Sequence, residues 1–163
     1  MVEMRHHDEA LLIHHWDADG ICSAKILLEN MTEIKPNITP KIGNYFLTEE
    51  EFDFASKYKS IVIADMALPE SNINRLKKDA EIMVFDHHIQ DALDVKLHEN
   101  PISRGKGPED YPSTSYVIKE FLDEPVDLYV LLGIVGDRED KIKGESSFLA
   151  GDRGLSKDQR IGL

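Results

Sequence analysis

Three short apolar runs in this chain each end on acidic or imidazole side chains, and this repetition narrows the possible folds more than any other feature. Leu11-Leu12-Ile13 runs into His14-His15-Trp16-Asp17-Ala18-Asp19-Gly20, Ile61-Val62-Ile63-Ala64 into Asp65, and Ile82-Met83-Val84-Phe85 into Asp86-His87-His88. Short apolar runs bounded by polar residues read as strands buried on both faces, as in a parallel sheet. In an open parallel sheet, ligands bind beyond the carboxyl ends of the strands. Three such endings would deliver carboxylates and imidazoles to one edge from distant parts of the sequence.

The segments between these runs change period. Apolar residues at 21, 24, 27, 28 and 31 form one face of a helix. Pro36 and Pro40 mark a loop, and residues 41–47 give a weak second strand. Thr48 with Glu51 three residues on is a capping-box pattern, opening a helix to about residue 58. Residues 69–78 read as a short helix with proline near its start. Residues 100–112, rich in Gly, Pro and charge, form a loop, and Ser113-Thr114-Ser115 opens the next helix. The apolar stretch 126–135 fits helix or strand by periodicity. From Lys143 onward the chain is polar and glycine-containing, which gives a domain over 1–143 and a domain edge or linker over 144–163. Alternating strands and helices predict an α/β fold with a parallel sheet.

His15, Asp17 and Asp19 alternate with period two, so they would share one face if the first strand continued that far. Carboxylates crowded in a cleft repel one another unless cations are present. No Lys or Arg lies within residues 11–20 or 61–70. A bound metal resolves the conflict, and mixed imidazole and carboxylate donors suit Mn, Fe, Zn or Co better than Ca. Two such ions can activate a water and clamp a phosphoryl group. Gly136-Asp137 offers one more carboxylate, although an aspartate after glycine also serves as a turn or cap residue. Trp16, between candidate ligands, reads as packing. Gly20 fits either a close approach to phosphate or a helix cap.

The formal charge of -12, from 19 basic and 31 acidic residues, argues against binding of long duplexes, which relies on many Lys and Arg contacts to phosphate. Arg104 and Lys106, in the 100–112 loop, are the cations read as candidates to reach a substrate phosphate. The single cysteine, Cys22, excludes an internal disulfide and a multi-cysteine zinc site. No apolar run approaches the roughly 18 residues of a membrane span. The expected location is the cytoplasm, with no membrane partner.

Four of these segments, in order, resemble the motifs of the DHH phosphoesterase superfamily: residues 15–20 (HWDADG) the first, Asp65 the second, Asp86-His87-His88 the third, and Gly136-Asp137 the fourth. The resemblance covers residues 10–140. It implies a mostly parallel five-stranded sheet in the order 2-1-3-4-5, with helices on both faces. It implies two divalent cations, Mn2+ first and Mg2+ as the alternative. His15, Asp17 and Asp65 would hold one; Asp19, Asp65, His87 and Asp137 would hold the other; Asp65 would bridge. His88 would contact the substrate phosphate, and Asp86 would orient His87. Water would be the nucleophile.

His15 stands two residues before Asp17, whereas many members place the first-motif histidine four before it, where this chain has Ile13. That spacing is closer to RecJ-like single-strand exonucleases and their archaeal relatives, although RecJ itself tends to carry Asp there. His14 is the neighbouring imidazole that would substitute. Family enzymes usually add a C-terminal substrate-binding domain with a glycine- and histidine-rich motif; nothing after Lys143 resembles it, so a missing domain or a partner is expected to complete the site. The implied function is metal-dependent hydrolysis of phosphoesters in single-stranded nucleic-acid ends or short oligonucleotides. The alternatives are a nucleotide or cyclic-dinucleotide phosphoesterase, and a non-catalytic scaffold module in a replication or repair complex.

Overall fold

The computed structural model describes residues 6–138. Its strands are β1 (His6–His14), β2 (Ile34–Ile38), β3 (Tyr58–Ala64), β4 (Glu81–Phe85) and β5 (Leu97–Glu99). Its α-helices are α1 (Ala18–Asn30), α2 (Glu49–Ala55), α3 (Glu70–Leu76), α4 (Thr114–Phe121) and α5 (Leu128–Arg138), with a 3-10 turn at Ile102–Arg104. The strands form one sheet in the order β2-β1-β3-β4-β5, and all four pairings are parallel. The segment expected to be a domain edge, 144–163, lies outside the described residues.

Alternation along the central strands divides the core in two. Leu11, Ile13, Ile61 and Ile63 face Phe52, Ala55, Ile73 and Leu76 of α2 and α3. Ala10, Leu12, Val62 and Ala64 face Leu27, Ile118, Val130 and Ile134 of α1, α4 and α5. Helices therefore cover both faces, which is why the central strands read as unbroken apolar runs. Burying each large aliphatic side chain contributes roughly 1.5–3 kcal/mol.

The second strand is not where the sequence reading put it. Residues 41–47 have no regular structure, and β2 lies over the proline-containing Ile34–Ile38. β2 is an edge strand, so Pro36, which has no N–H to donate, is tolerated there. The register against β1 shifts between the Ala10–Ile34 and Leu12–Asn37 pairs, on either side of the proline. The 126–135 stretch resolves as helix α5. Asp127 Oδ1 accepts from the amides of Tyr129 and Val130, which caps its first turn. The capping box at Thr48 and Glu51 forms as read, and α2 ends at Ala55.

Candidate metal centre

β1 ends at His14, and the chain then turns into α1. His15 keeps one further backbone bond to β3, from its N–H to the Ala64 carbonyl at 3.2 Å. Asp17 is the N-cap of α1: its Oδ1 accepts from the Gly20 amide at 2.9 Å, and Asp19 lies within the first turn. The strand-face alternation expected for His15, Asp17 and Asp19 is therefore corrected: the chain turns from strand to helix here, leaving Asp17 against His15 while Asp19 joins a different group of donors. Gly20 is not the cap of α1, a place taken by Asp17. A Cβ there would lie 2.3 Å from the His15 carbonyl oxygen, so glycine lets the helix start close against His15.

Asp65 follows the last residue of β3 with φ of 60°, in the left-handed region. Such a conformation costs a non-glycine residue on the order of 1–3 kcal/mol. It places a 1 % exposed carboxylate between two groups of side chains. Asp65 Oδ2 lies 3.9 Å from His15 Nδ1, and Oδ1 lies 3.6 Å from His87 Nε2. His15 Nδ1 is 2.7 Å from Asp17 Oδ2. His87 Nε2 is 2.7 Å from Asp137 Oδ2 and 4.0 Å from Asp19 Oδ2. Two ligand sets result, each with its donor atoms within 4.8 Å of one another: His15, Asp17 and Asp65, and Asp19, His87 and Asp137. A third grouping, Asp65, His87 and His88, overlaps them.

The hydrogen bonding fits cations at this centre. Both ring nitrogens of His15, Asp65 Oδ2 and His87 Nε2 are buried with no well-directed hydrogen bond among the described residues, while His15 Nδ1 and His87 Nε2 each have a carboxylate oxygen at 2.7 Å. Buried polar atoms ordinarily have partners. Here the His15 and His87 nitrogens converge on the two oxygens of Asp65, as ligands sharing a cation would. His87 Nδ1 faces the Tyr111 carbonyl at 3.4 Å, which only accepts; a proton on Nδ1 would leave the Nε2 lone pair for a cation at the centre.

Two carboxyls at the centre are pushed towards protonation. Burial raises Asp65 well above the ordinary carboxylate value, and the charges of Asp19, Asp17, Asp86 and Asp137 push it the same way. Burial also raises Asp19, against the Ser115 hydrogen bonds that lower it. Burial works upward on Asp17 too, but the Gly20 amide and the His15 ring outweigh it and leave its carboxyl below the usual range. A divalent cation would hold all of these as carboxylates.

The sequence did not signal what supports Asp19. Its oxygens accept from the amides of Thr114 at 2.6 Å and Ser115 at 3.0 Å, at the N-terminus of α4. Thr114 also donates its hydroxyl to Asp65 Oδ1 at 2.9 Å. The Ser113-Thr114-Ser115 sequence showed a helix start, but only the fold reveals that the amides face a carboxylate. Gly133 of α5 is equally close: a Cβ there would meet Asp19 Oδ1 at 2.4 Å and Ser115 Oγ at 2.2 Å.

Asp86 has a different partner from the one expected. Its Oδ1 accepts from His88 Nδ1 at 2.7 Å and its Oδ2 from Gln90 at 2.5 Å, so it orients His88, while the Tyr111 carbonyl faces His87. The bond from Asp86 raises the His88 pKa above its usual value, against partial desolvation, and favours the imidazolium. His14 turns away from the centre, with its ring nitrogens at the His15 carbonyl and Asn37 Oδ1. Arg104 is committed to Glu99 through two hydrogen bonds and to the His98 carbonyl. Lys106 is exposed, just beyond the turn residue Gly105.

A parallel sheet with helices on both faces carries, at one edge, two imidazole–carboxylate groups that could hold metal ions, joined by one aspartate. The family model described as "DHH family, N-terminal domain" matches residues 9–143, and the chain belongs to that family, whose members are generally metal-dependent phosphoesterases. No curated protein matches the chain. No described helix is long and apolar enough to cross a membrane.

Proposed function

We propose that this protein is a two-metal phosphoesterase that hydrolyses phosphoester bonds at single-stranded nucleic-acid ends or in short oligonucleotides, with Mn2+ as the preferred ion and Mg2+ as the alternative. The observation that carries this reading is Asp65, whose two oxygens face two separate sets of donors. His15, Asp17 and Asp65 would hold one cation, and Asp19, Asp65, His87 and Asp137 the other. The ions would supply water activation and charge neutralisation at the phosphoryl group. His88, half-exposed and paired with Asp86, presents its remaining ring nitrogen as a donor to a phosphate oxygen. The net charge of -12 and the commitment of Arg104 to Glu99 leave few cations to track a long backbone. Short substrates therefore suit the domain, and long strands call for a further basic domain or partner.

A substrate panel with Mn2+ or Mg2+ tests the reading: labelled single strands, dinucleotides, a cyclic dinucleotide and pyrophosphate. Turnover of dinucleotides and short strands is expected. Turnover of pyrophosphate alone, or of the cyclic dinucleotide alone, overturns the substrate class. No turnover by protein that retains metal favours the scaffold alternative.

A further inference from the structure

The carboxylate–imidazole centre can engage a phosphate but does not select what the phosphate is attached to. A second feature lies against it. The segment between β2 and α2 lays Tyr45 on His15, with ring centroids 5.5 Å apart and planes 26° apart. Trp16 lies 4.4 Å from His15 and 6.4 Å from Tyr45, so the three rings form a corner with His15 at its vertex. His15 is buried and Trp16 half-buried, but Tyr45 is 59 % exposed. Ile42 and Phe46, from the same segment, are also exposed. A ring that served only to pack His15 would not leave most of its surface in water. Single exposed apolar residues are ordinary, but three on one short segment, with Tyr45 lying against a candidate ligand, suit a binding surface.

We propose that Tyr45 and Trp16 form a stacking platform for the nucleobase of a nucleotide whose phosphate occupies the adjacent centre. This rests on the phosphoesterase reading above. Aromatic faces accept any base and need no positive charge. They suit a chain of net charge -12, in which a basic groove cannot supply the affinity. Tyr45 is in contact with a candidate ligand, so base and phosphate subsites would adjoin. The platform favours base-bearing phosphates over bare sugar phosphates or pyrophosphate.

Trp16 is the only tryptophan, so its fluorescence reports on this corner alone. The test titrates the full chain, loaded with Mg2+, with AMP and with ribose 5-phosphate, following Trp16 emission and binding heat. AMP is expected to bind about ten-fold more tightly and to quench Trp16. Tyr45→Ala should weaken AMP binding about five-fold or more beyond any effect on ribose 5-phosphate, as loss of a base–aromatic stack does, and Tyr45→Phe should restore it. Metal content, measured on each variant, should stay unchanged. Equal binding of the two ligands, or a Tyr45→Ala protein that loses metal and both ligands together, overturns the platform and leaves Tyr45 a support for His15. Selective AMP binding by a protein that cleaves no phosphoester would sustain the platform and remove the hydrolytic reading instead. Cleavage without base selectivity would do the reverse.

Discussion

A buried 2.9 Å hydrogen bond from the Thr114 hydroxyl to Asp65 Oδ1 joins the start of α4 to the carboxylate that faces both ligand sets. The amide of the same residue donates to Asp19 Oδ2. One residue thus holds two candidate ligands that are distant in sequence. Thr114→Val keeps the shape and the amide and removes only the hydroxyl. Loss of such a supporting bond typically costs about 10–100-fold in metal affinity or activity. We expect that loss in Mn2+ titrations, with recovery in Thr114→Ser. A valine variant that binds Mn2+ as tightly as the parent would show that the bond does not hold Asp65.

Metal removal should act on stability as well as rate. The buried carboxyls at the centre repel one another, and an ion bound only to the native state stabilises it by mass action, by about 2.7 kcal/mol at a hundred times its dissociation constant. Chelation is expected to abolish turnover and lower Tm, and Mn2+ to restore both. An unchanged melting curve and full activity in chelator would refute a metal centre.

Asp65→Ala and His88→Ala should fail in different ways. Asp65 faces both sets, so its loss should release metal from both. His88 is turned by Asp86 and is the more exposed of the paired histidines. Its alanine variant should keep metal and lose about two to three decades in turnover, as removal of one charge-stabilising donor does. Metal counting beside single-turnover kinetics separates the two. Metal loss in His88→Ala would make His88 a ligand, as its grouping with Asp65 and His87 allows.

Gly133→Ala is expected to damage the centre without touching a ligand. The added methyl would fall 2.4 Å from Asp19 Oδ1, inside any permissible contact. Overpacking of this kind costs about 1–3 kcal/mol. Here the displaced group is a candidate ligand, so Mn2+ affinity should fall together with Tm. A variant with lowered Tm and unaltered Mn2+ affinity would show that α5 yields instead of Asp19.

The central strands were legible because burial on both faces leaves an unbroken apolar run, and most candidate ligands could be singled out because they follow the ends of those runs. β2 was misplaced because a proline argues against a strand unless the strand is known to be an edge. β5 was not located: its three residues, Leu97-His98-Glu99, are too few to show a period. His15, Asp17 and Asp19 were read as sharing one strand face, but the chain turns into a helix after His15, and Asp19 falls in a different group from the other two. The partner of Asp86 was misread because side-chain direction beyond a strand end depends on the turn that follows. The supports from α4 and Gly133 depend on how distant helices dock, and local sequence carries no trace of that.

Asp17 and Asp19 also constrain the order in which ligands arrive. The start of a helix is a natural seat for an anion, and this cleft has two, at α1 and α4. Both are taken by the protein's own carboxylates: Asp17 on the Gly20 amide, Asp19 on those of Thr114 and Ser115. An approaching phosphate finds the Gly20, Thr114 and Ser115 amides already engaged and is faced by negative side chains. Occupancy should therefore be sequential, cation first and phosphate second. A phosphate-bearing ligand added to metal-stripped protein should find almost no hold, and its apparent affinity should rise in step with cation concentration.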